Sequence, residues 1–261
     1  MELEWLNLFP AWLLMFVRVL AFFSALPIFS FQTLPTTFRI GIAGYLSFIM
    51  FFIVEPDPIP VDGLYFLLIG KEIMLGLFLG MAANIIFSAV QTAGAFIDYK
   101  MGFLVANVID PQTGAQTPLS GGLLNAFAIL FLLAVDGHHV MLDGIYYSYE
   151  YVPLTQLYLP FGEEGIARFI VETFSQTFLI AFQISFPIVG SLFLVDIALG
   201  MMSRAVPQMN VFVVGLPLKI FLGLPILLLM LPAFFTVVSD MVDFIGITIR
   251  TLLEMFGGVD E

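Results

Sequence analysis

The stretch QTAGAFIDYKMGFLVANVIDPQTGAQTPLS, residues 91–120, differs in kind from what flanks it. Asp98, Lys100, Asn107, Asp110, Gln112, Thr113 and Gln116 fall inside it, with long apolar runs on both sides. Glycines bracket a short apolar patch, Met101-Gly102-Phe103-Leu104-Val105-Ala106. Asp110-Pro111 then stops any helix, because the residue before proline is pushed out of the α region. Thr113-Gly114 and Thr117-Pro118 keep the backbone irregular up to Leu119. Polar, irregular backbone between membrane-length segments persists only in water, or where protein or an aqueous cavity covers it. The stretch is therefore a surface loop or the lining of a passage.

Working outward, apolar runs occupy residues 9–29, 38–54, 64–90, 119–145, 173–200 and 211–235, and an amphipathic segment follows at 236–256. A helix needs roughly 20 apolar residues to cross a bilayer, so the pattern predicts an all-α, multi-helix integral membrane protein with about six long apolar helical segments. A membrane barrel would show shorter alternating segments. The composition agrees: 61% of the residues are hydrophobic, only 11% are charged, and 30 are Phe. The mean hydropathy is +1.06. No cysteine is present, which excludes disulfides and thiolate metal sites. A net charge of −12 argues against nucleic acid, whose phosphates need Lys and Arg. The N-terminus carries Glu2 and Glu4 where a signal peptide has its positive region, so the first apolar segment is expected to be retained. The scattered Lys and Arg lean towards both termini outside.

Arg18, Lys71, Glu72, Asp196 and Lys219 lie within the apolar runs. Charge there is expensive and is retained for function or for pairing. Lys71 and Glu72 are adjacent, so on a helix they diverge by about 100° and are expected to reach different partners. The candidate pairings are Glu72 with Lys219 or Arg18, and Asp196 with Lys71. Such pairs act as helix locks, or alternatively as an ion or proton relay. Asp136-Gly137-His138-His139, with Asp143, resembles a metal cluster. Neighbouring histidines on a helix diverge and no further nitrogen or sulfur donor is present, so the expectation is a helix end satisfied by its polar side chains and no metal site. No HExxH, GxSxG, Walker A or dinucleotide fingerprint occurs, and no enzyme activity or cofactor is expected. The sixth run carries Pro217, Pro225 and Pro232, each expected to kink or break a helix. Gly76 and Gly80 form a single GxxxG pair, weak by itself.

Two blocks carry a resemblance. Met101-Gly102-Phe103, Asp110-Pro111, Pro118 and an apolar helix ending Asp136-Gly137-His138 form the first. Ile197-Ala198-Leu199-Gly200, Arg204, Pro207-Gln208 and VFVVGLPLK at residues 211–219 form the second. In order and spacing they resemble the FliR family of flagellar export proteins, over essentially the whole chain. Lys100 departs from the glutamine more usual in that family before Met-Gly.

The resemblance implies a single membrane export-gate domain, FliP-like over 1–172 and FliQ-like over 173–261. It implies an inner-membrane, multi-pass subunit of the flagellar basal body, one copy of which assembles with FliP-like and FliQ-like subunits and a FlhB-like subunit. Unfolded export substrates would pass through that assembly, much of which would stand above the membrane plane. It also implies a pore plug, expected here to involve Met101, Gly102, Phe103, Leu104, Val105, Asp110, Pro111, Gly114 and Pro118. Proline and glycine breaks suit a loop that reorders, since there is no helix ladder to unmake. A stand-alone transporter of a small solute, using the buried charges, is the competing reading. An inverted repeat would support it, and Arg18 and Lys71-Glu72 have no counterparts in the second half.

Overall fold

The structure is a computed structural model and describes residues 2–27, 35–103, 119–162, 164–208 and 210–258, the side chains of 2–6 excepted. Seven helices run through the described residues: α1 (Glu2–Ala25), α2 (Thr36–Val54), α3 (Gly63–Met101), α4 (Leu119–Ala134), α5 (Gly137–Tyr151), α6 (Glu164–Ala205) and α7 (Val211–Gly257). No strand occurs among these residues, and the protein is all-α. Five helices are long and apolar enough to cross a membrane, or up to six if α4 and α5 count as one broken span.

Several boundaries differ from the sequence pattern. The third run does not end at residue 90, and α3 continues through Asp98 and Lys100 to Met101. No proline interrupts that segment, and a lone interior Gly94 costs only about 1 kcal/mol of helix propensity. The fourth run, conversely, divides. Val135 and Asp136 form a turn in which Asp136 takes a left-handed φ of 57°, and α5 starts afresh at Gly137. The prolines of the sixth run do not break it. Pro217, Pro225 and Pro232 all lie inside α7, as Pro187 lies inside α6, and the amphipathic tail is the same helix. Each proline removes one N–H from the backbone ladder, and in long apolar helices that loss is tolerated where neighbouring groups take up the freed partners.

These helices are long. α3, α6 and α7 have 39, 42 and 47 residues. At 1.5 Å per residue they span roughly 58–70 Å, about twice the hydrocarbon core of a bilayer.

The chain forms two compact units, neither continuous in sequence. The first gathers residues 1–86, 136–174 and 242–261. In it α1 and α3 cross closely. A Cβ at Gly76 would fall on the Arg18 carbonyl oxygen, and one at Gly80 would lie 2.6 Å from the Phe22 oxygen. The GxxxG pair is thus the α1–α3 contact. Phe78, Phe161 and Phe256 stack edge-on at centroid distances of 5.1–5.4 Å. The second unit gathers residues 87–135 and 175–241. Here α3 and α4 touch backbone to backbone, since a Cβ at Gly94 would fall on Gly121. Phe131 stacks on Phe235 at 4.9 Å. Much of the apolar surface is left uncovered, with Phe212 90% and Leu229 80% exposed. Such surface faces lipid or partner protein rather than water.

Candidate functional site: two ion-pair centres and the ends of the polar stretch

The first centre lies in the first unit. Arg18 sits at mid-helix on α1, fully buried. Glu72 on α3 is also fully buried, and its two carboxylate oxygens accept from Arg18 Nε and from Nη2, the latter at 3.0 Å. Arg18 Nη1 also donates to the Ser148 carbonyl oxygen at 2.7 Å and to its Oγ at 2.9 Å, and Nη2 to the Val152 carbonyl at 2.9 Å. Lys71 does not diverge from Glu72 as expected. Its Nζ lies 2.5 Å from Glu72 Oε1 and donates to the carbonyl of Pro153 at 3.1 Å. The pairing of Lys71 with Asp196 is therefore corrected. The flexible four-carbon stem folds back, which a helical-wheel angle does not register.

This arrangement has a physical logic. The last carbonyls of a helix have no intrahelical donors and carry partial negative charge. Those at the end of α5 and just beyond receive a guanidinium and an ammonium. Two cations balanced by one carboxylate would leave a net positive charge in the interior, and the helix end supplies the remaining negative potential. Tyr149 completes the enclosure. Its ring lies 4.3 Å from Arg18 Cζ, and its hydroxyl donates to the Met15 carbonyl at 3.1 Å.

The second centre lies in the second unit. Asp196 on α6 takes Lys219 of α7 on Oδ1 and Lys100 of α3 on Oδ2, the latter at 3.2 Å. All three side chains are roughly a quarter exposed. Asp196 and Lys219 border a cavity of about 400 Å³ whose walls include Met101, Gly102, Leu199 and Phe212.

The ends of the polar stretch are held in that same unit. Asp98, 1% exposed on the last turns of α3, accepts the Ser120 amide on both oxygens, at 3.1 and 3.2 Å. A carboxylate there stabilises the start of α4 by charge and by hydrogen bonding. Met101 is buried against Gly223 of α7, where a Cβ would lie 2.7 Å from its Cε. Gly102 adopts φ 85°, a conformation that favours glycine, and leaves the helix there.

Comparison with known proteins adds the family. Residues 9–245 match the bacterial export proteins, family 1. The flagellar biosynthetic protein FliR of Bacillus subtilis is 48% identical over 97% of this chain and 98% of its own. The chain belongs to the FliR family. The FliR of Escherichia coli is 28% identical over 88% of this chain and 86% of its own, and the Yop proteins translocation protein T of Yersinia pestis 34% over 79% and 80%.

Within this FliR-family chain the expected site residues fall into separate places. Arg18, Lys71 and Glu72 meet in one centre, and Asp196 meets Lys219 in the other. Of the expected plug residues, Met101 ends α3 and Gly102 and Phe103 follow it, while Leu104, Val105, Asp110, Pro111, Gly114 and Pro118 lie outside the described residues. Asp98, Lys100 and Ser148 carry contacts that the sequence pattern did not assign to a site. The signal for Asp98 was its place one turn before the break at Gly102. The signal for Lys100 was its departure from the family's glutamine.

Proposed function

We propose that the chain is a non-enzymatic core subunit of a flagellar type III protein export gate in the bacterial inner membrane, within the flagellar basal body. It forms part of the pore through which unfolded flagellar substrates leave the cell. One copy joins FliP-like and FliQ-like subunits, with a FlhB-like subunit beside them. Residues 1–172 play the FliP-like part and 173–261 the FliQ-like part. The stretch from Met101 to Pro118 plugs the closed pore, and Arg18, Lys71, Glu72, Asp196 and Lys219 lock helices in place.

The observation that carries this reading is the near full-length match to a flagellar FliR at 48% identity. Helices twice the bilayer thickness suit a subunit that stands partly outside the membrane, and its uncovered apolar faces suit neighbours in an assembly. The locking role draws support from ion pairs satisfied within each unit, since a relay needs groups free to exchange protons.

Native mass spectrometry after co-expression with FliP-like and FliQ-like partners tests the assembly. The expected product is one discrete hetero-oligomer with a single copy of this chain, and a monomer that ignores both partners would refute the reading. Deleting residues 104–116 should leave the assembly intact while cells leak ions. Unchanged conductance in the deletion would remove the plug from the proposal and leave the assembly role standing.

A further inference from the structure

The turn between α4 and α5 brings together three side chains of metal-ligand type. Asp136 precedes α5, and His138 and His139 follow in its first turn. Successive residues on a helix diverge by about 100°, yet the two imidazole rings lie with centroids 4.1 Å apart, tilted by 37°. Asp136 does not perform the usual task of its position. A carboxylate before a helix ordinarily accepts an amide of the first turn; here the side chain makes no such bond, and Oδ1 faces His139 Nδ1 at 3.5 Å. The backbone of Asp136 is held left-handed, a conformation that is costly outside glycine and tends to mark functional positions. His138 Nδ1 is buried with no hydrogen-bond partner. One ligand atom from each of the three residues lies within 4.8 Å of the other two.

We propose that Asp136, His138 and His139 form a site for a divalent transition-metal ion of the zinc class. Two imidazoles and one carboxylate suit the borderline ions from cobalt to zinc rather than calcium or magnesium, which take oxygen. A tetrahedral ion about 2.1 Å from each ligand needs ligand separations of about 3.4 Å. Asp136 and His139 are 75% and 62% exposed, so both can rotate to close that distance. The fourth position stays open to water. Asp136 lies in the left-handed turn and His138 and His139 on the first turn of α5, so the ion ties the turn to the helix. Neighbouring histidines on a helix are expected to diverge, but these two rings approach to a centroid distance of 4.1 Å.

The test uses the full chain in detergent, without a polyhistidine tag, stripped by chelator and titrated with zinc alone. The expected result is one zinc retained per chain through gel filtration. His138→Ala/His139→Ala should abolish retention, and Asp136→Asn should weaken it at least tenfold. Cobalt(II) should give visible bands of a four- or five-coordinate ion, lost in His139→Ala. His139 is exposed, so that variant is expected to keep the parent elution volume and separates loss of metal from loss of fold. Zinc retained equally by the parent and by His139→Ala, or not retained by the parent at micromolar zinc, overturns the proposal.

Discussion

Glu72→Gln isolates the charge of the first centre. The substitution keeps the shape and one acceptor oxygen and removes the carboxylate that pairs with both Arg18 and Lys71, themselves buried. What remains is two interior cations facing neutral acceptors, among them the carbonyls at the end of α5 and the Ser148 hydroxyl. Breaking a buried ion pair from one side costs about 3–5 kcal/mol, because the uncompensated charge stays behind. One of the two hydrogen bonds from Arg18 is also lost, because the Gln amide offers a single acceptor oxygen; that loss is part of the same figure. For a chain of this length about 2–4 °C accompanies each kcal/mol, so the midpoint of thermal unfolding should drop on the order of 10 °C. The assay is fluorescence-detected size exclusion of the detergent-solubilised chain after a temperature ramp. Arg18→Met/Glu72→Leu should recover part of the loss, because it removes two of the three charges together, and the non-additivity measures the coupling. A midpoint for Glu72→Gln within about 2 °C of the parent would refute the account of this centre. Full stability with export abolished would move Glu72 from a structural to a transport role.

Other expectations follow from contacts and charge balance. Gly94→Val should collapse the yield of folded chain, because its side chain would meet the Gly121 backbone, whereas Gly122→Ala, with nothing within 4 Å, should leave yield unchanged. Detergent gel filtration of both variants reads the difference. In the second centre Lys100→Gln should cost under about 1 kcal/mol, since the pair is partly exposed and Lys219 still serves Asp196. Asp196→Asn should cost more, because it leaves two ammonium groups facing each other, and double-mutant thermal unfolding should show the Lys100→Gln change becoming stabilising in that background.

The apolar runs made the helix count and the membrane setting legible, because burial in lipid demands long uninterrupted apolar segments whatever the tertiary detail. The boundaries were less legible, for a local reason. Proline counts as a breaker in water, but Pro217, Pro225 and Pro232 sit in a helix whose flanking turns bond among themselves and whose environment offers the backbone little else. The charges divide more instructively. The Arg18–Glu72 pair was among the alternatives that the sequence allowed, since both residues are isolated charges in apolar runs. The rest of that centre was hidden because its acceptors are main-chain carbonyls of Ser148, Val152 and Pro153, and carbonyls leave no mark in a sequence. They become acceptors only because α5 ends there. The register of α5 depends in turn on the turn at Asp136, where one left-handed residue restarts the helix. A polar cluster read as a plain helix end thus sets which carbonyls meet the buried cations, so the turn at Asp136 and the Arg18 centre belong to one chain of cause.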